Sequence, residues 1–302
     1  MKNRPHLWAL LLTAAPFLFS GCRRTHKQAF EKAPLVPGQL ETARLSERPH
    51  LMVERLRFWS AEMKEPRFFL ALVPKAPAAS PRVFILNHGW FDRPEDLLVQ
   101  LKVDEVLDNM IGAGEVEPAI VVIPNVRFSN VYRQMSRRHP FANYLTLVAE
   151  EVAFTVSLHY HVPFDRSRWS IGGFSFGGYL SLDVGRRYPG RFGAVAVVSG
   201  LAERDWSFWP AVAPPPGPLD AKGRGKQTVV VPGPPPRLLL ACGTEDHLFS
   251  MMRLLHNKLA GEGFPHTWST GPGGHTWQYW SSVLGPMLRF ALGSNRDKEL
   301  SQ

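Results

Sequence analysis

The sequence predicts a three-layer α/β sandwich on a mostly parallel central sheet, with antiparallel strands at its N-terminal side. Three observations carry this expectation. Short, nearly continuous apolar runs recur at 82–87, 119–123, 169–172, 194–198 and 238–242, and such runs suit strands buried on both faces. Segments with helical spacing alternate with them, at about 95–112, 143–159, 177–188, 249–262 and 276–292. Alternation of this kind implies crossover connections and parallel pairing. Ahead of it, 51–59 and 67–73 read as two antiparallel strands. With 302 residues, 44% of them hydrophobic, the chain can bury one large core, and it shows no internal repeat.

The N-terminus reads as a processing segment. Lys2 and Arg4 precede an apolar run, Leu7 to Phe19, that is short for a membrane span. It ends in Phe19-Ser20-Gly21-Cys22, small residues before a cysteine, which resembles a bacterial lipobox with Phe19 in place of the usual aliphatic residue. Residues 1–21 are therefore expected to be a signal peptide and Cys22 a lipidation site. Residues 22–48 would form a polar tether, 49–293 the catalytic domain and 294–302 a polar tail. Arg23, in place of an Asp, favours the outer membrane over retention at the inner one; an ordinary secretory signal and a retained anchor are the alternatives.

Cys22 and Cys242 are the only cysteines. If the first carries lipid, Cys242 should be a free thiol buried in a strand; the alternative is a Cys22–Cys242 disulfide. Loss of residues 1–21, which hold Lys2 and Arg4 but no acid, lowers the formal charge from +9 to +7. The basic residues are dispersed apart from Arg23-Arg24 and Arg137-Arg138, and no nucleic-acid motif accompanies them. The charge therefore reads as a solvated surface and excludes nucleic acid as an expected partner. Residues 201–236, with two Pro-Pro-Pro runs, should form an irregular insertion, because proline blocks both helix interiors and sheet ladders. Such a segment is either a surface excursion or a flap beside a site.

Chemistry concentrates at Gly173-Phe174-Ser175-Phe176-Gly177, a Gly-x-Ser-x-Gly sequence between an expected strand and an expected helix. That context is what a nucleophile elbow requires: a sharp turn exposes the serine, and close packing of strand on helix leaves no room for side chains at the flanking glycines. Serine needs a base to take its proton. His275, in Pro272-Gly273-Gly274-His275-Thr276-Trp277, is late in the chain and just before a helix. A carboxylate must hold the imidazole. Asp246 follows the 238–242 run directly, with Glu245 and Asp205 as rivals. The oxyanion needs prearranged donors: the N–H of Phe176 and that of Trp90, or else of Phe91, in Asn87-His88-Gly89-Trp90-Phe91. His88 is expected to shape that loop. Phe91, Phe174, Trp206, Trp209 and Trp277 are candidate pocket aromatics. No metal-ligand spacing or phosphate-binding loop is evident, so no cofactor is expected.

Taken in order, several motifs resemble an esterase family of the α/β-hydrolases. They are Asn87-His88-Gly89, Gly172 through Tyr179, Tyr188-Pro189-Gly190-Arg191-Phe192, Val198-Ser199-Gly200, Cys242-Gly243-Thr244-Glu245-Asp246 and Gly274-His275-Thr276-Trp277. The family includes feruloyl and acetylxylan esterases, enterochelin-type esterases, S-formylglutathione hydrolase and mycolyltransferases. The resemblance spans about 50–292 and implies a serine esterase with Ser175, Asp246 and His275 as triad and Trp90 and Phe176 as oxyanion donors. It implies a small-molecule or polysaccharide ester as substrate. The bulk of Trp90-Phe91 and the long proline-rich stretch depart from the family pattern where substrate choice is made. Acyl transfer to a sugar or lipid hydroxyl, and a catalytically silent envelope-binding lipoprotein, are the alternatives.

Overall fold

The computed structural model describes residues 35–76, 78–127, 141–200 and 233–293. Nine strands form one sheet in the order β1-β2-β3-β5-β4-β6-β7-β8-β9. β1 (Leu40–Glu47), β2 (Leu51–Ser60) and β3 (Glu65–Pro74) are an antiparallel meander, and β3 also runs antiparallel to β5 (Ala119–Pro124). From there β5, β4 (Arg82–Asn87), β6 (Trp169–Phe174), β7 (Ala194–Val198), β8 (Arg237–Gly243) and β9 (Thr267–Gly271) pair in parallel.

The apolar runs become central strands because both of their faces are covered. On β4, Val83 and Ile85 enter one core while Phe84 and Leu86 enter the other; β7 divides Val195 and Val197 from Ala196 and Val198 in the same way. The first core is closed by α3 (Ala142–Thr146), the π-helical turn Leu147–Val152, α4 (Ala153–His159), α5 (Phe176–Arg187) and α6 (Phe249–Gly261). The second is closed by α1 (Pro94–Gln100), α2 (Val103–Gly112) and α7 (Trp277–Leu292). Each fully buried Val, Leu or Ile stabilises such a core by about 1.5–3 kcal/mol, so helices on both faces are what the strand composition demands. This is the expected α/β-hydrolase sandwich.

Three local features differ from the sequence reading. The tether expected through residue 48 gives way to strand β1 at Leu40. An edge strand needs only one partner, and β1 buries no side chain; Leu40 and Leu45 are exposed, and the register slips between Arg44 and Ser46. No alternating pattern could announce it. The single helix expected over 95–112 is two, because Lys102 takes a left-handed φ of 50° while Leu101 stays buried. Neither residue is a helix breaker by type. The helix expected over 143–159 holds one π-helical turn, where Glu151 accepts hydrogen bonds from Ser60 Oγ and, at 2.9 Å, the Glu62 N–H. Among the described residues no helix is long and apolar enough to cross a membrane.

Candidate active site

The strand-to-helix turn after β6 is tightly constrained. Ser175 sits at φ 54° and ψ −121°, a region that non-glycine residues enter only when the surroundings enforce it. Its N–H donates to Val198 O at 2.9 Å, which fixes the turn to β7. The backbone of the preceding loop closes in from the other side. A Cβ on Gly173 would meet Asn87 O at 2.5 Å, and one on Gly177 would meet it at 2.2 Å. The two glycines are thus required by close approach.

Around that turn the predicted residues converge. His275 Nε2 lies 2.8 Å from Ser175 Oγ, and His275 Nδ1 lies 2.9 and 3.1 Å from the two oxygens of Asp246. With Nδ1–H donating to the carboxylate, Nε2 is left as the acceptor for the serine hydroxyl. Asp246 is buried at the C-terminal end of β8, whereas Glu245 beside it is exposed and donates its backbone N–H to Gly273 O. The structure therefore brings Asp246, and not Glu245, to the imidazole. Asp205, Trp206 and Trp209 lie outside the described residues, as do Cys22 and residues 201–232 of the proline-rich insertion.

Burial by itself would push the Asp246 carboxyl up. The hydrogen bond and charge of His275, the Leu248 N–H at 2.8 Å and the Ser199 hydroxyl outweigh it and hold the group below its ordinary value. Ser199, at φ 49°, also accepts from Trp280 Nε1 at 3.2 Å. Trp280 in turn packs edge-on against the His275 ring, with centroids 5.0 Å apart. Both residues position the His275–Asp246 pair, and the sequence reading gave neither that part. Their sequence signals were slight: Ser199 directly follows the 194–198 run within the Val198-Ser199-Gly200 motif, and Trp280 lies five residues after His275.

The loop after β4 supplies the opposing wall. His88 is fully buried; its Nδ1–H donates to Gly89 O at 2.8 Å and its Nε2 accepts the Val126 N–H at 3.2 Å. Burial pushes its imidazole down to about 4, so it is a neutral brace, as expected of a loop-shaping residue. Trp90 packs edge-on against Phe141 and Phe176, with centroids 5.5 and 4.9 Å apart. Its backbone therefore sits in a fixed turn beside Phe176, which opens α5 immediately after Ser175, where helix N–H groups face outward. Asp92, not singled out from the sequence, accepts the Gly89 N–H at 3.0 Å.

Of the expected pocket aromatics, Phe91 is 82% exposed and Trp277 is half-buried against Trp280. Phe174 requires a correction. It is 1% exposed and packs on Trp280 in the core beneath the site, because strand alternation turns it inward. Cys242 is free and buried on β8; desolvation first, and Asp246 second, push its thiol up to about 12. Asp246, His247 and His275 hold ligand-type atoms within 4.8 Å of one another. The Asp246 and His275 atoms of that group are already spent on each other. His256 and His266 bond to one another at 2.7 Å and take no part here.

Comparison with known proteins agrees with this architecture. The chain is 28% identical over 264 residues to an acetyl esterase of Caldicellulosiruptor saccharolyticus, spanning 78% of this chain and 96% of that one. Among solved structures it is similar to a ferulic acid esterase of Anaeromyces mucronatus in complex with ferulic acid, with TM-score 0.61, 18% identity and coverage of 83% of this chain and 94% of that one. It is also similar to an S-formylglutathione hydrolase of Staphylococcus aureus, with TM-score 0.58, 17% identity and coverage of 86% and 100%. The family model described as "Putative esterase" matches residues 60–291. The chain therefore belongs to this esterase family, on the α/β-hydrolase fold, and is a carboxylic ester hydrolase.

Proposed function

We propose that this enzyme cleaves its ester through a Ser175–His275–Asp246 triad and an acyl-enzyme intermediate. The observation that carries the reading is the unbroken hydrogen-bonded chain from Ser175 Oγ through both nitrogens of His275 to Asp246, built on a strained turn. In the first step His275 Nε2 takes the Ser175 proton as Oγ attacks the ester carbonyl carbon. Asp246 stabilises the imidazolium and keeps the ring in its productive tautomer. The carbonyl oxygen becomes an oxyanion facing the Phe176 and Trp90 N–H groups, where stabilisation is worth most because the donors are already in place. His275 returns the proton to the departing alcohol oxygen. In the second step the same base activates water, which releases the acid and restores Ser175.

Phe91, exposed beside Trp90, and Trp277 offer apolar surface for the acyl or alcohol part of the substrate. The substrate class we infer is a small-molecule or polysaccharide ester. The N-terminal signature further supports an exported lipoprotein held at the outer membrane through Cys22. The purified protein should hydrolyse a short-chain p-nitrophenyl ester and be phosphonylated on Ser175 by a fluorophosphonate. A folded protein that does neither sinks the mechanism. Palmitate-analogue labelling in cells, lost in Cys22→Ala, tests the anchor.

A further inference from the structure

The turn that carries Trp90 is closed twice by one residue. The Asp92 N–H donates to Gly89 O at 3.3 Å, and the Gly89 N–H donates to Asp92 Oδ2 at 3.0 Å. Gly89 lies between this carboxylate and Ser175, close to both. A Cβ placed there would meet Asp92 Oδ2 at 2.4 Å and Ser175 Cβ at 3.6 Å. The site thus holds a second carboxylate, half-buried, electrostatically coupled to His275, and unused by the mechanism above.

We propose that Asp92 is a positioning residue of this esterase: its ionised carboxylate holds the Gly89–Trp90 turn against Ser175 and stabilises the imidazolium that forms on His275 as Ser175 attacks. The proposal rests on the reading of Ser175 and His275 as nucleophile and base. Two physical effects support it. Positive charge appears on His275 only during attack, so a fixed negative charge nearby acts on the transition state more than on the resting enzyme. A charged acceptor also holds the Gly89 N–H more strongly than a neutral one does.

The groups facing Asp92 set when it is charged. Burial first, and Asp96 on α1 second, push its carboxyl up to about 6, against the Gly89 N–H and His275, which favour the charged form. Asp96 is itself engaged, accepting the Arg93 N–H at 2.8 Å at the start of α1. His88, bonded on both ring nitrogens to backbone, is neutral and adds no charge. Asp92 is therefore ionised at about pH 8 and largely protonated at about pH 5.

Asparagine keeps an acceptor for the Gly89 N–H but removes the charge, so a purely structural Asp92 would give a variant whose ratio to wild type does not follow the pH at which Asp92 is charged, and this separates the two roles. The measurement is the rate at which a fluorophosphonate labels Ser175, which needs no knowledge of the natural ester. Asp92→Asn should label about fivefold slower than the wild type at about pH 8. The ratio should shrink towards one at about pH 5, where the wild type has lost its own charge. Asp92→Ser, small and uncharged, should show the same convergence and guards against a fault particular to asparagine. A ratio that is flat across pH, or a variant equal to wild type at pH 8, overturns the proposal while leaving the triad intact. Failure of the wild type to label sinks the triad reading and this proposal together.

Discussion

Two histidine–aspartate pairs border Ser175: His88 and Asp92, both on the loop after β4, and Asp246 on the loop after β8 with His275 on the loop after β9. They put the same side chains to opposite use. In the β4 loop both nitrogens of His88 are spent on backbone groups, and Asp92 turns back on its own turn. In the β8 loop Asp246 is aimed at the imidazole of His275, which leaves the other ring nitrogen for Ser175. The outcome is visible in the acids: Asp92 is pushed up to about 6 by burial, while Asp246, also buried, is held below its ordinary value by its donors. Residue type does not decide which pair braces a loop and which bonds the serine. The partner on the far side of each ring does.

The strongest way to break the contrast is to remove the Asp246 charge. Asp246→Asn should lower kcat on the order of 10⁴-fold, because the imidazole loses both its tautomer and the stabilisation of its charge. Turnover of a p-nitrophenyl ester by folded variant checks this. An effect below tenfold would hand the role to another acid.

The brace can be tested through stability. His88 titrates at about 4 in the fold against 6.5 when unfolded, so between these values the unfolded chain holds more protons. Stability is then complete above about pH 6.5 and is lost as the pH falls through that window, by on the order of 3 kcal/mol. Urea melts from pH 7 to 4 should show this slope in the wild type and a shallower one in His88→Asn. Equal slopes would mean that the imidazole is not kept neutral.

A smaller effect sharpens the role of the supporting shell. Ser199→Ala removes a hydroxyl that bonds Asp246 and accepts the Trp280 indole. It should lower kcat about tenfold with KM little changed, since a buried charged acceptor loses one donor. An altered KM with intact kcat would place Ser199 in substrate binding instead. Smallest of all, exposed Glu245→Gln should change turnover less than about twofold; a loss to match Asp246→Asn would reverse the acid assignment.

Much of this was legible before any coordinates. Five of the six parallel strands were readable because a strand covered on both faces must be apolar throughout; β9, at the open edge, buries no side chain and shows no such run. Ser175 and His275 were readable because glycines mark the turns that expose them. The antiparallel edge was not: β1 buries no side chain, so nothing in its composition separates it from a tether. The break at Lys102 was equally silent, since the buried Leu101 and the sheet beneath impose it. Phe174 was misjudged because nearness to Ser175 in the chain says nothing of the face on which a strand residue emerges.

The sequence by itself determined the sandwich and the sharp strand-to-helix turn at Ser175, because these depend on periodicity and on glycines that have few substitutes. Only the tertiary structure set Ser199 and Trp280 around the Asp246–His275 pair, turned Phe174 into the core and brought Asp92 towards Ser175. Those outcomes depend on which groups meet across separate loops, and on how far burial and neighbouring charges move a proton, neither of which is written in any one segment of the chain.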